Sequence, residues 1–302
     1  MKTKKREIVI FFLSALITLM AVGFFMNNIK KKKENTQSNL FSLIAPSPQA
    51  ILKINKPSDF SKYILSQPIE YTLFASTIPT IYLEIIQNHP TLEALQISFH
   101  PQGIVFYAQA DEKEIEQMTK ETLVKRFHSF APQTQTINEL TFTFYPDAKN
   151  NFLGCYYAQG IWVASYSRKL LEQVANTQLN PINQKHTEQK ELLKTLDQYA
   201  PLNLLIPADS LNLYVSINDS TDWRIQDCWL GVELFSNENH LCYSGSIPHH
   251  PASDSLYIQL GDTLAHRLQQ RYPQFTISNQ TTIEKEQVFY NGCLLSSQQS
   301  VK

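Results

Sequence analysis

The sequence predicts an N-terminal transmembrane helix followed by an α+β unit built from two related, mostly antiparallel sheet-plus-helix repeats that pack together. Three observations lead to this fold class: an uncharged apolar run near the N-terminus, apolar residues alternating at period two in later segments, and short motifs recurring in the same order. The expected organisation is a basic tail at 1–7, a membrane span at 8–26, a polar linker at 27–42, a first repeat at 43–180, a linker helix at 181–204 and a second repeat at 205–302.

The membrane span is predicted from the stretch IVIFFLSALITLMAVGFFM, residues 8–26, which carries no charge. A helix of this length covers about 28 Å, close to the roughly 30 Å hydrocarbon core of a bilayer. The small residues at Ala21–Gly23 would suit a signal peptidase, but the apolar run continues to Met26. A retained signal-anchor embedded in membrane lipid is therefore favoured over a cleaved signal peptide.

The basic residues around the span leave its orientation open. Four of them precede it and Lys30–Lys33 follow it, so the positive-inside count is balanced. A short basic tail normally remains in the cytoplasm, which favours a large C-terminal domain on the extracytoplasmic (periplasmic) side. The opposite orientation is the alternative.

Charge and composition exclude several classes of function. The 26 basic and 27 acidic side chains divide into eight and two up to Glu34, and 18 and 25 beyond it. The globular part is therefore mildly acidic, which predicts no nucleic-acid partner. Eight glycines are few against a usual share of about 7%, and phosphate-binding loops depend on glycine. No phosphate-loop, dinucleotide, nucleophile-elbow or zinc-protease motif occurs, so neither a cofactor nor an enzymatic activity is expected.

The repeats are predicted first from strands and hairpins. LIAPSPQAILKIN (43–55) resembles LIPADSLNLYVSIN (205–218), and each alternates like a half-buried strand. ALQISFHPQGIVFYAQA (94–110) and WLGVELFSNENHLCYSGS (229–246) each contain two alternating runs around a polar turn. Both of these longer segments are expected to form hairpins.

A helix is expected after each hairpin. The first begins at Asp111 and ends near His128, with acidic residues in its first turn and basic residues in its last. Its buried stripe is predicted to be Ile115, Met118 and Thr122. The second is predicted from leucines at helical spacing, Leu256, Leu260, Leu264 and Leu268.

Two further matches complete the repeats. Similar stretches, FAPQTQTIN (130–138) and RYPQFTISN (271–279), each place a Pro-Gln pair where a helix should stop and a strand begin. Gly154–Cys155 and Gly292–Cys293 are interpreted as equivalent positions within strands.

The four cysteines are Cys155, Cys228, Cys242 and Cys293, and no two are spaced as in a zinc or thioredoxin motif. Cys228 and Cys242 would face apart, or lie too far apart, on the predicted hairpin, so they are not expected to pair. The two Gly-Cys thiols are interpreted as buried, free and apolar, with a Cys155–Cys293 disulfide left open.

An aromatic segment precedes the first hairpin and contains Tyr63, Tyr71, Phe74 and Tyr82 among isoleucines and leucines. The favoured interpretation is that these rings pack on the sheet. The alternative is an exposed aromatic groove for a protein of the cell envelope or for lipid.

The pair His249–His250, with His240 and Asp254 nearby, is the cluster that most resembles metal ligands. Adjacent histidines between prolines do not converge without help, so a solvated loop is favoured and no metal is expected. The alternative is a membrane-tethered hydrolase or metal-dependent enzyme that uses this loop.

The basic tail, single span, polar linker and tandem units opening with P-x-x-A-x-L-x-x-I-N resemble an uncharacterised bacterial family of membrane-anchored proteins with a domain of unknown function. The resemblance implies a location in a bacterial cell envelope and brings no catalytic residues. The sequence thus predicts a single-pass, membrane-anchored envelope protein whose extracytoplasmic domain is a non-enzymatic binding or scaffold module.

Overall fold

The computed structural model describes residues 40–66, 71, 74–92, 94–180, 187–207, 214–217, 221–224, 229–237, 240–249, 254–271, 273, 275–285 and 287–296. The predicted span at 8–26 lies outside these ranges. Within them, no helix combines the length and the apolar character needed to cross a membrane.

A single antiparallel sheet of twelve strands organises the described chain, and β9 and β10 form a separate pair. The strands are β1 (Ala50–Ile54), β2 (Ala94–His100), β3 (Gly103–Gln109), β4 (Gln133–Ile137), β5 (Leu140–Pro146), β6 (Phe152–Ala158), β7 (Ile161–Ser165), β8 (Leu202–Pro207), β9 (Tyr214–Ile217), β10 (Thr221–Arg224), β11 (Trp229–Asn237), β12 (His240–Pro248), β13 (Phe275–Ile283) and β14 (Gln287–Ser296). The order across the large sheet is β13-β14-β12-β11-β8-β1-β2-β3-β7-β6-β5-β4. The predicted α+β class with a mostly antiparallel sheet is confirmed.

Helices cover both faces of this sheet. The longer ones are α1 (Thr80–Asn88), α2 (Glu112–Met118), α3 (Arg168–Leu179), α4 (Thr187–Thr195) and α5 (Asp254–Arg271). Short helical segments are Pro57–Asp59, the π-helical turns Phe60–Leu65 and Thr119–Leu123, Val124–Arg126 and the 3-10 turn Ala148–Asn150.

The helix predicted after the first hairpin forms, and a side-chain cap fixes its first turn. The Asp111 carboxylate accepts from the Glu114 backbone N–H at 2.9 Å, while Glu114 accepts from the Asp111 N–H at 3.1 Å, which closes a capping box. Met118 and Thr122 are buried, and Ile115 packs on the core at partial exposure. The predicted buried stripe is therefore confirmed.

Opposite faces of the sheet bury separate groups of side chains. On one face, α1, α2 and the helical segments before them cover the strands around β1, β2 and β3. Farther along this face, α5 packs on β13 and β14, and Gly261 lies so close that an added Cβ would be 2.2 Å from Thr281 Oγ1. The other face is covered by the segment after Leu40, by α3 and by the chain around Leu196. The helical cover on the first face is thus divided into two parts.

Both predicted hairpins form, as β2–β3 and β11–β12. The strand predicted at 205–218 is different: β8 ends at Pro207, and β9 pairs with β10 outside the main sheet. The strand that pairs with β1 is β8, with Leu52 opposite Leu204. The sequence match that aligned β1 with β9 was therefore wrong, because period-two alternation marks strands without showing which sheet they join.

The Gly-Cys match also fails in position. Cys155 lies on β6, which is separated from β3 by β7, whereas Cys293 lies on β14, directly beside β12. Among the described residues, four strands, β4 to β7, follow α2 in the first half, and two strands, β13 and β14, follow α5 in the second half. The same Gly-Cys dipeptide therefore lies on two strands that have different neighbours in the sheet.

A disulfide joins Cys242 of β12 to Cys293 of β14, which are directly opposite in the strand register. The interpretation of Cys293 as a free thiol was therefore wrong, and the open Cys155–Cys293 pairing does not occur. Cys155 is free and buried, as expected, and burial raises the pKa of its thiol to about 12. Cys228 lies outside the described residues.

Candidate functional site

A half-open cavity of about 460 Å³ lies on the sheet face that carries α1 and α5. Its floor consists of side chains from six neighbouring strands, running from β2 through β1, β8, β11 and β12 to β14. Phe74, Thr77 and Ile78 line one side, and Leu264 and Leu268 of α5 line another. The cavity therefore occupies the gap between the two parts of the helical cover.

The floor is apolar because alternate residues of each strand face the same side of the sheet, and those that face the cavity are mostly aliphatic. On β11, Leu230, Val232 and Leu234 line the cavity. Gly231, between them, faces the opposite side, where an added Cβ would be 2.7 Å from Leu196. The central strands β8 and β11 thus present aliphatic side chains to the gap.

Two phenol hydroxyls at the cavity already donate hydrogen bonds within the protein. The Tyr243 hydroxyl donates to Asn279 Oδ1 at 3.0 Å, and the Tyr290 hydroxyl donates to the Tyr257 carbonyl at 3.2 Å. Burial raises the pKa of both Tyr243 and Tyr290, so both phenols stay protonated at neutral pH. None of the described lining residues carries a charge. The cavity therefore favours an apolar ligand, or the apolar part of a larger ligand.

Gly245 leaves room in the floor. A Cβ added there would meet Val232 Cγ2 at 3.4 Å, an ordinary contact, and would point to the cavity side because Gly245 lies opposite Val232 in the register. Gly292 differs, since the Tyr243 ring lies over it and an added Cβ would be 2.3 Å from the Ser278 carbonyl oxygen. Gly245 is therefore a position where a larger side chain can reduce the cavity volume without backbone strain.

The four aromatic residues considered as a possible partner surface have different environments. Phe74 is buried at the cavity, with its ring centroid 5.1 Å from that of Phe60. Tyr82 is fully buried on the Phe106 ring at 5.0 Å, and its hydroxyl donates to the Ala164 carbonyl at 3.2 Å. Tyr71 is partly buried against the same core. The side chain of Tyr63 lies outside the described part of the structure.

In the described part of the histidine loop, the structure brings His249 next to Asp254. His249 Nε2 lies 2.8 Å from Asp254 Oδ1, and His249 Nδ1 lies 3.2 Å from the Lys285 carbonyl. Both ring nitrogens are thus next to protein oxygens. No group of three or more potential metal ligands occurs in the part of the chain that the structure describes. His250 lies outside it.

The His249–Asp254 pair should have a measurable effect on the titration of His249. The Asp254 carboxylate and the Lys285 carbonyl raise the pKa of His249 above its usual 6.5. Its contribution to stability is therefore fully present below pH 6.5 and is lost as the pH rises through the raised folded-state pKa. In a proton NMR titration, Asp254→Asn should return the His249 pKa toward 6.5. An unchanged His249 midpoint in this variant would contradict the pairing.

The sequence predicted some of the lining residues but not the cavity. Leu264 and Leu268 were predicted on one helix face, and β11 was predicted to alternate. Alternation identifies residues that face a core. Whether a helix covers them depends on where α5 and the 74–78 segment pack, and that is a tertiary property.

Comparisons with known proteins do not show a family for this chain. No protein-family model matches the chain, and no curated protein matches it. Among solved structures, crystal forms III, I and IV of TP0453 align with TM-scores of 0.46, 0.44 and 0.47 and with 11%, 11% and 7% sequence identity. The alignments cover 84% of this chain and 93%, 92% and 92% of the TP0453 chain. At this level of similarity, nothing about ligand or activity transfers from TP0453.

Proposed function

We propose that this protein is a non-enzymatic binding module of the bacterial cell envelope, tethered to the membrane by residues 8–26, that holds a small apolar ligand in the cavity between the 74–78 segment and α5. The observation that carries the proposal is the cavity itself. It has about 460 Å³, within the roughly 300–1,000 Å³ usual for small-molecule sites, and its described lining has no charged side chain.

The extracytoplasmic location is supported by the disulfide. Disulfides persist in oxidising compartments such as the periplasm and are rare in the cytosol. Cys242 and Cys293 face each other on paired strands, so the bond is part of the sheet. The short basic tail favours the same orientation, with the large C-terminal domain on the extracytoplasmic side.

We also infer that the two halves of the domain descend from one duplicated unit. Hairpins β2–β3 and β11–β12 lie on either side of the central β1–β8 pair. Each hairpin is followed in the chain by a helix and then by an edge strand of the sheet, β4 or β13. Pro132 directly precedes β4, and Pro273 lies two residues before β13. Among the described residues, the second half has no equivalent of two of the strands β4–β7, so the halves differ there by one hairpin.

Filling the cavity at Gly245 tests ligand binding. Full-length protein, held in solution by an amphipathic polymer, would be titrated with N-phenylnaphthylamine, an uncharged dye that fluoresces in apolar sites. Gly245→Leu should weaken dye binding by about tenfold or more. The leucine side chain takes up space that the dye would otherwise fill, and each apolar CH₂ kept out of the cavity removes about 0.8 kcal/mol of binding free energy. The fluorescence titration reports the affinity, after subtraction of the polymer alone.

The matched control is Ser244→Leu. Ser244 precedes Gly245 on β12, so its side chain faces the other side of the sheet. This variant should bind the dye like the unmodified protein. Equal binding by the Gly245→Leu variant and the unmodified protein would contradict the proposal.

A further inference from the structure

The lining chemistry and the volume of the cavity together specify a ligand class. We infer that the ligand is a single long hydrocarbon chain, such as the acyl chain of a fatty acid or a lysophospholipid, with its polar end left at the cavity rim near Thr77. This inference rests on the proposed function and names what the cavity holds.

The lining excludes ligands that would bury polar atoms. Burying a polar group without a hydrogen-bond partner costs free energy, and a peptide carries such groups at every residue. The phenols of Tyr243 and Tyr290 already donate to Asn279 and Tyr257, so they are not free to pair with a ligand carbonyl. A hydrocarbon chain has no such requirement, and every CH₂ that enters gains free energy from leaving water.

The volume limits the ligand to about one chain. An aliphatic cavity of about 150 Å³ holds one benzene molecule, which has six carbons, so 460 Å³ has room for roughly eighteen carbons. Two acyl chains of a membrane phospholipid would need about twice that space. An α-helix, at about 10 Å across with its side chains, is also too wide to enter such a cavity as a whole.

The rim gives the direction of the chain. Thr77 is exposed while its lining neighbours Phe74 and Ile78 are buried, so a polar end group beside Thr77 stays in water. The 74–79 segment, FASTIP, has no charged residue. The binding free energy should therefore depend on the chain much more than on the charge of the end group.

A chain-length series tests the inference. Saturated fatty acids of six to twenty carbons, delivered from cyclodextrin, would compete with N-phenylnaphthylamine on the full-length protein in the same polymer. Affinity should rise up to about fourfold per added methylene. It should level off near eighteen carbons, where the cavity is full. A C16 lysophospholipid and the C16 fatty acid should compete within a few-fold of each other, and salt should have little effect.

Gly245→Leu adds four carbons to the floor, so the plateau should move to chains about four carbons shorter, whereas Ser244→Leu should leave it in place. If the leucine variant does not fold, Gly245→Ala should move the plateau by about one carbon. The dye could bind the unmodified protein, fail to bind the Gly245→Leu variant, and be displaced equally by fatty acids of all lengths. That result would overturn the inference and leave the proposed function standing. A dye that never occupies the cavity would overturn both.

Discussion

Replacing Cys242 and Cys293 together by serine is expected to lower the free energy of unfolding by up to roughly 4 kcal/mol. The disulfide closes a loop with a sequence separation of 51 residues. In the chain-entropy description, a loop of this size restricts the unfolded chain by about that amount, and native disulfides contribute about 2–5 kcal/mol when removed from small domains. Urea unfolding followed by fluorescence measures the loss.

Reducing agent gives the matched control for this experiment. The unmodified protein should lose a similar free energy of unfolding when reduced, while the double serine variant should not respond to reductant. Cys155→Ala serves as a second control, because Cys155 is free and its removal should leave the response to reductant unchanged. A double variant as stable as the oxidised protein would contradict the expected stabilisation by the bond.

Replacing Tyr82 by alanine is expected to cost about 3–5 kcal/mol of stability, the range for removing a large buried aromatic side chain. Tyr82 joins α1 to the sheet: its ring stacks on Phe106 and its hydroxyl donates to the Ala164 carbonyl. Deletion would leave a cavity and a buried carbonyl that has lost this partner. Thermal and urea unfolding of the variant measure the effect.

Two other tyrosine variants separate packing from hydrogen bonding. Tyr82→Phe keeps the ring and should cost about 1 kcal/mol, the usual net contribution of one hydrogen bond. Tyr199→Ala changes a side chain that is 79% exposed and should alter stability by less than about 0.5 kcal/mol. If Tyr82→Ala were as mild as Tyr199→Ala, Tyr82 would belong to a surface, as the alternative interpretation of the aromatic segment proposed.

Local features of the chain were predictable because they depend on near neighbours. The β2–β3 and β11–β12 hairpins follow from alternation around short polar turns, and α2 follows from the acidic first turn that begins at Asp111. The long α5 follows from leucines at helical spacing. Each signal extends over fewer than about twenty residues, which is the range over which periodicity reports structure.

Predictions that required a distant partner were less successful. The 205–218 segment read as one strand, but β8 joins the main sheet and β9 does not. Gly154–Cys155 and Gly292–Cys293 look alike, yet they lie on strands with different neighbours. The pairing of Cys242 with Cys293 depends on β14 returning beside β12 after α5, and no local pattern encodes this return.

Composition and spacing along the chain were enough to predict the kinds of elements, the α+β class and the side chains available to a core. The tertiary structure decided which strands became neighbours, which thiols met, and where the helices left the sheet uncovered. The physical reason is that strand pairing and helix packing depend on contacts between residues far apart in the chain. The cavity above β8 and β11 exists because the 74–78 segment and α5 pack on either side of it, and neither segment encodes the position of the other.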